Sequence, residues 1–199
     1  MLEKTSAIHV TPPSAAFSLV HPLDEFYTQA GQPLPPLNQV EGHVVPEPFK
    51  TLLVHLNDMT PTLEKFYQKN IHLQVLGSRH KEDGYFREVV LRLDGTNEAV
   101  EFGAIKINLS LFTPEAREQI LKEHLPLGHI LGEYKIPHTS RPSGYLRIAS
   151  DKLINDVLGL TGAQVLYGRR NTLFDPSHRP LAEIVEILPL AASKSSSLK

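Results

Sequence analysis

Apolar and polar positions divide this chain into a proline-interrupted beginning and a regularly patterned remainder. Residues 1 to 48 hold 8 of the 16 prolines, among them Pro12-Pro13 and Pro33-Leu34-Pro35-Pro36. Proline at that density blocks both ladders and helices, so the stretch is expected to be an extended arm. Apolar residues within it, such as Phe17, Leu19, Val20, Leu34 and Val44, suggest that parts of it lie against the body. From residue 49 the periodicity changes. Phe49 to Leu56 reads as a short helix. A second begins at Asp58-Met59-Thr60-Pro61, with Thr60 as N-cap, Pro61 at the first helical position and Leu63, Phe66 and Tyr67 inward. Ile71 to Leu76 alternates as a strand, and Gly77 to Gly84 reads as a polar turn region. Tyr85 to Leu93 is strongly β by alternation and branching, Asp94-Gly95-Thr96-Asn97 is a hairpin signal, and Ala99 to Leu111 returns as a long strand.

Thr113-Pro114-Glu115 opens the clearest helix, which runs to about Glu123 with Ile120 and Leu121 inward. Tyr145 to Ile148, Ala163 to Phe174 and Leu181 to Leu188 complete the strands, with a short helix at Lys152 to Leu158. Hairpin-linked strands with segregated helices predict an α+β fold on an antiparallel sheet of about six strands. The expected organisation is an arm over 1–48, one domain over 49–190 and a frayed tail over 191–199. There is no internal repeat and no glycine-rich phosphate loop.

Composition narrows the functional classes. Lys and Arg total 20 against 22 Asp and Glu, a net charge of −2, which argues against a nucleic-acid partner. No apolar run reaches the length of a membrane span, and the N-terminus lacks the features of a signal peptide, so a cytoplasmic protein without a membrane partner is expected. The chain has no cysteine, hence no disulfide or thiolate chemistry, and its 10 histidines match no ligand spacing. No metal is expected. Nothing in the sequence sets the oligomeric state.

Three charged residues on apolar strands carry candidate chemistry. Arg87 shares a strand face with Val89 and Leu91, and a cation there needs a partner. It is either a clamp for a ligand carboxylate or one half of a structural ion pair. Arg169 and Arg170 follow one another in Leu166-Tyr167-Gly168-Arg169-Arg170, so at most one faces inward. Alternation from Val165 and Tyr167 favours Arg169, and a pair of solvated edge charges is the alternative. Glu186 sits between Val185 and Ile187, where desolvation would suit a carboxyl to acid–base work, unless it simply points outward. Glu183, on the opposite alternation, is its rival. Gly128 allows close backbone approach to a ligand, and Met59 is a soft apolar wall or an ordinary core residue.

Taken together, Asp58-Met59-Thr60, Phe86-Arg87-Glu88-Val89-Val90-Leu91 with Asp94-Gly95 after it, Pro126-Leu127-Gly128, Tyr167-Gly168-Arg169-Arg170, and Pro180-Leu181 through Glu186 resemble, in order and approximate spacing, the chorismate pyruvate-lyase family. The resemblance covers about residues 50 to 189. It implies a single antiparallel sheet whose helices enclose an internal ligand, and a cofactor-independent elimination of pyruvate from chorismate to give 4-hydroxybenzoate. Carried over residue by residue, ligand contacts would fall on Met59, Arg87, Leu127 through its backbone, the adjoining Gly128, and Glu186, with Arg169 behind them. Arg87 and Glu186 would be the catalytic pair, the first holding a carboxylate and the second assisting proton movement at the C4 oxygen. The family shares its fold with ligand-sensing domains of transcription regulators, so the alternative expectation is a non-catalytic module that binds an aromatic acid.

Overall fold

A computed structural model describes residues 19–81 and 84–189 of the chain. Its elements, in chain order, are α1 (Leu23–Gln29), β1 (Leu37–Val40), α2 (Phe49–Leu53), α3 (Met59–Tyr67), β2 (Ile71–Lys81), β3 (Gly84–Leu93), β4 (Ala99–Ile107), α4 (Pro114–Lys122), α5 (Leu127–Glu133), β5 (Thr139–Ala149), α6 (Lys152–Leu158), β6 (Val165–Phe174) and β7 (Pro180–Leu188), with short 3₁₀ turns at Gly42–Val44 and Leu109–Leu111. The strands form one antiparallel sheet of seven in the order β1-β5-β6-β7-β4-β3-β2. The expected α+β class holds, with one strand more than anticipated. The sheet consists of two three-strand meanders, β2-β3-β4 and β5-β6-β7, joined where β7 lies against β4; β1 extends the second meander.

Local chemistry accounts for most boundaries. The Thr113 hydroxyl accepts from the Ala116 amide at the start of α4, with Pro114 in the first turn. Asp151 caps α6 through the Ile154 amide at 2.8 Å, and Gly159 ends it at φ +68°. Gly95 and Asn97, both at positive φ, close the β3–β4 hairpin. The second helix starts one residue earlier than the cap signal suggested: Asp58 is the extended residue and Thr60 lies inside.

Three departures from the sequence reading have physical reasons. β2 runs on through Gly77–Lys81, read as turn, because an edge strand with one solvated face tolerates polar residues and a bulge near Val75 and Gly77 keeps it in register. Helix α5 went unread; its seven residues include Gly128 and Gly132, and it is held by packing. A Cβ at Gly128 would lie 3.1 Å from the Thr60 side chain, so α5 and α3 meet there with no spare room. The proline-rich stretch, expected to be extended, contains α1 and β1. Pro22 stands at the N-cap of α1 and Pro33 to Pro36 precede β1, so no proline interrupts either element. Residues 1–18 and the expected tail lie outside the described residues.

Helices cover both faces of the sheet. α1 and α6 pack on one, with Leu23, Phe26, Phe102, Ile154 and Ile187 among its core and the Tyr27 hydroxyl donating to Asp151 at 2.8 Å. The other face carries two apolar clusters, one under α4 and α5 and one under α2 and α3. Central strands β3, β4 and β7 are therefore buried on both sides and read as near-continuous apolar runs. The polar residues of interest lie on this second face.

Candidate functional site

Register places the charged residues in rows across the sheet, since cross-strand partners share a face. One row runs Arg87, Ile105, Ile184, Asn171. The next runs Val89, Gly103, Glu186, Arg169, Tyr145, and a third pairs Leu91 with Glu101. Over these rows α3 and α5 bound a cavity of about 60 Å³. Its polar lining is Arg87, Glu101, Asn171, Glu186, Asp58 and Thr60. Met59, Leu91, Leu127 and Leu131 supply apolar wall.

Gly103 occupies the centre of the middle row, and a Cβ there would stand 2.4 Å from the Val185 carbonyl oxygen. A Cβ on Gly168 of β6 would come as close to the Glu186 carbonyl, at 2.5 Å. β7 is thus gripped at Val185 and Glu186 between two strands that present no side chain, which fixes the backbone from which the Glu186 carboxyl projects.

Arg87 is 1% exposed. Its Nη1 donates to the Ile120 carbonyl at 3.4 Å, its Nε has no partner, and it ion-pairs with no carboxylate among the described residues. The guanidinium lies 5.9 Å from the Tyr85 ring centre. Burial lowers its pKa, opposed by Tyr85 and Glu123; a guanidinium nonetheless stays charged. A buried cation with donors to spare, facing a cavity, has the chemistry to receive an anionic group.

Arg169, also fully buried, is differently placed. Its Nε donates to Glu186 Oε2, Nη1 to the carbonyls of Leu53 at 3.4 Å and His55 at 3.2 Å, and Nη2 to that of Asn57 at 3.2 Å. It knits the α2–α3 connection to β6 and holds Glu186, without lining the cavity itself. His55 completes this knot. Its Nε2 donates to the Leu52 carbonyl at 2.7 Å, leaving Nδ1 to accept, and burial with the Arg169 charge pulls its pKa down so that the ring stays neutral. Arg170 faces the opposite side and pairs with Glu183 at 3.0 Å, so of the two rival acids it is Glu186 that reaches the cavity.

Sequence reasoning passed over Glu101, although Val100-Glu101-Phe102 carries the same signal as Val185-Glu186-Ile187, a carboxyl inside an apolar run. Glu101 is 5% exposed and its buried Oε2 has no hydrogen-bond partner among the described residues. Burial first, and the neighbouring Glu186 charge second, push its pKa well above the ordinary carboxylate range, against the pull of Arg169. Asn171 was also missed; its side chain is engaged with Ser140 at 2.9 Å.

Asp58 belongs both to the cavity wall and to an open groove outside it, lined also by Asn57, Lys65 and His138. His138 donates from Nδ1 to the Ile136 carbonyl at 2.8 Å and from Nε2 to Asp58 at 3.0 Å. Two acceptors require an imidazolium, and the Asp58 bond raises its pKa. A folded-state pKa above the unfolded one gives stability that is full below about pH 6.5 and is lost as pH rises through the raised value. The difference in Tm between wild type and His138→Ala is therefore expected to shrink from pH 6 to pH 9. A difference constant across that range would rule out the charged pair. Among the described residues no group of side chains could hold a metal ion, and no helix is long and apolar enough to cross a membrane.

No protein-family model matches the chain, and no curated protein matches it. Solved structures do. PhnF from Mycobacterium smegmatis is similar with a TM-score of 0.53 at 12% identity, over 68% of this chain and 65% of that one. YydK from Bacillus subtilis, described as a possible transcriptional regulator, gives 0.48 at 10% identity over 62% of this chain and 59% of its own. The ligand-binding domain of a protein assigned to the GntR family of transcriptional regulators, from Bordetella bronchiseptica, gives 0.44 at 12% over 59% and 85%. This chain thus spans less than two thirds of YydK and of PhnF, and what it has in common with PhnF is the fold.

Proposed function

We propose that this chain binds a small aromatic monocarboxylate of the hydroxybenzoate type in the internal cavity, acting as a ligand-binding module. The observation that carries this reading is Arg87, a buried guanidinium without an ion-pair partner among the described residues, on the wall of a largely apolar cavity. In this reading Arg87 grips the carboxylate, while Met59 and Leu127 flank the ring at the start of α3 and α5. Gly128 keeps those helices close together, and Glu186 meets the ring's far end. Arg169 positions Glu186 and does not touch the ligand.

Charge supports this reading over a lyase. Arg169 is balanced by Glu186, and Asp58 by His138, which leaves Arg87 as the uncompensated charge on the cavity wall once Glu101 is neutral. One spare cation suits a monoanion. Chorismate is a dianion and would bring a second carboxylate to a site whose other guanidinium is already committed to Glu186 and three carbonyls. Elimination of pyruvate from chorismate remains the second reading, favoured by a carboxyl, Glu186, lining the same cavity as Arg87 in the arrangement the resemblance implies. The fold in common with PhnF is compatible with either use, because one fold hosts many functions.

The two readings part in one pair of measurements. Purified protein is titrated with 4-hydroxybenzoate by calorimetry and separately incubated with chorismate while pyruvate is followed. Saturable binding without pyruvate release is the expected result. Steady formation of pyruvate together with 4-hydroxybenzoate would replace the binding module with the lyase, and absence of both binding and turnover would end the carboxylate reading.

A further inference from the structure

The carboxylate-binding reading leaves Glu101 unused. It lies on β4 two residues from Gly103, on the face and in the cavity that hold Glu186. Its Oε2 is buried without a partner. Arg169, whose charge it senses, directs Nε to Glu186 and its terminal nitrogens to backbone carbonyls. Two carboxyl groups therefore stand beside one guanidinium that serves only one of them. The cheapest arrangement keeps Glu186 ionised in its ion pair and Glu101 protonated, like charges at close quarters being unable both to persist out of water. The direction of the Glu101 shift agrees.

A carboxylate and a carboxylic acid side by side offer one acceptor and one donor. That is the complement of a hydroxyl group, which gives one hydrogen bond and takes another. An ether oxygen can only accept, and a bare ring can do neither. Position fits as well. Arg87 is level with Ile105 on β4, and Glu101 is four residues further along, about 13 Å at ~3.3 Å per residue. With both side chains reaching inward, the gap matches a ring bearing its carboxylate and its second substituent at opposite ends.

We infer that Glu101 is a specificity-determining residue: its carboxyl donates a hydrogen bond to a ligand hydroxyl at the end of the ring remote from the carboxylate on Arg87, while Glu186 accepts the hydrogen of that same hydroxyl. This deepens the carboxylate-binding reading and rests on it.

The test is calorimetric titration of the full chain with benzoate, 4-methoxybenzoate and 4-hydroxybenzoate, in the wild type and in Glu101→Leu and Glu101→Gln. In the wild type 4-hydroxybenzoate is expected to bind at least about tenfold tighter than benzoate, the effect of a hydrogen bond to a charged group in a buried site. Glu101→Leu is expected to bring the two within about twofold while benzoate affinity is retained. Glu101→Gln, which keeps an N–H donor, is expected to preserve most of the preference. If Glu101→Leu keeps the wild-type preference, or the wild type binds benzoate and 4-hydroxybenzoate alike, this role of Glu101 is overturned and the carboxylate site stands. If no member of the series binds the wild type, both fall. The Gln variant guards against a packing artefact at Leu: loss of the preference by Leu with its retention by Gln supports the hydrogen-bonding role, and equal loss of the preference by both overturns it.

Discussion

Arg87→Met is expected to make the protein more stable and to abolish its binding of aromatic carboxylates. The gain should be about 1–3 kcal/mol by urea denaturation, because the substitution removes a buried cation that pairs with no carboxylate and replaces it with an apolar side chain of similar length. The loss in affinity for 4-hydroxybenzoate should be at least about 100-fold, the scale for truncating one partner of a buried charge pair. Opposite signs in the two measurements mark a residue held at a structural cost for its ligand. A destabilised variant that binds as well as wild type would show instead that Arg87 serves the core.

The other buried arginine should behave in the reverse way. Arg169→Met is expected to destabilise by about 3–5 kcal/mol, since it orphans the buried Glu186 carboxylate and the carbonyls of Leu53, His55 and Asn57 together. Adding Glu186→Leu should recover much of that loss, because the uncompensated charge disappears with its partner. Additive losses in the double variant, or a single variant as stable as wild type, would contradict the paired arrangement. Two arginines with nearly equal burial therefore separate by sign in one denaturation experiment.

Which parts of this could be read from the residues depends on how strongly each position constrains its own surroundings. β3 and β4 were legible because branched residues, alternation and Asp94-Gly95 all specify one hairpin. Helix α6 was legible because Asp151 and Gly159 mark its ends. Helix α5 was not, since two glycines weaken it and tertiary packing sustains it, with Leu127, Ile130 and Leu131 buried in the core and Gly128 against Thr60. The continuation of β2 was hidden because a solvated edge does not ask for apolar residues. At the site, Arg87 and Glu186 stood out as charges inside apolar runs. Glu101 carries the same mark, yet its meaning appears only when β4 is laid against β7. The separate fates of Arg87 and Arg169 depend on which carbonyls and carboxyls surround them, and the carbonyls around Arg169 come from a segment more than 100 residues away in the chain.

The junction of β4 with β7 also has a mechanical side. Arg87 and Glu101 belong to one meander, Glu186, Arg169 and Asn171 to the other, and the strands that join them are paired from Phe102 with Ile187 to Ile107 with Ala182. Neither half contains all the residues of the proposed site. A ligand held at one end by Arg87 and at the other by Glu186 is a staple driven across the seam, and its binding free energy adds directly to the cohesion of the two halves. Such contacts, distant in sequence, cost loop-closure entropy to form. Occupancy of the cavity would thus act as a latch on the seam between the two meanders.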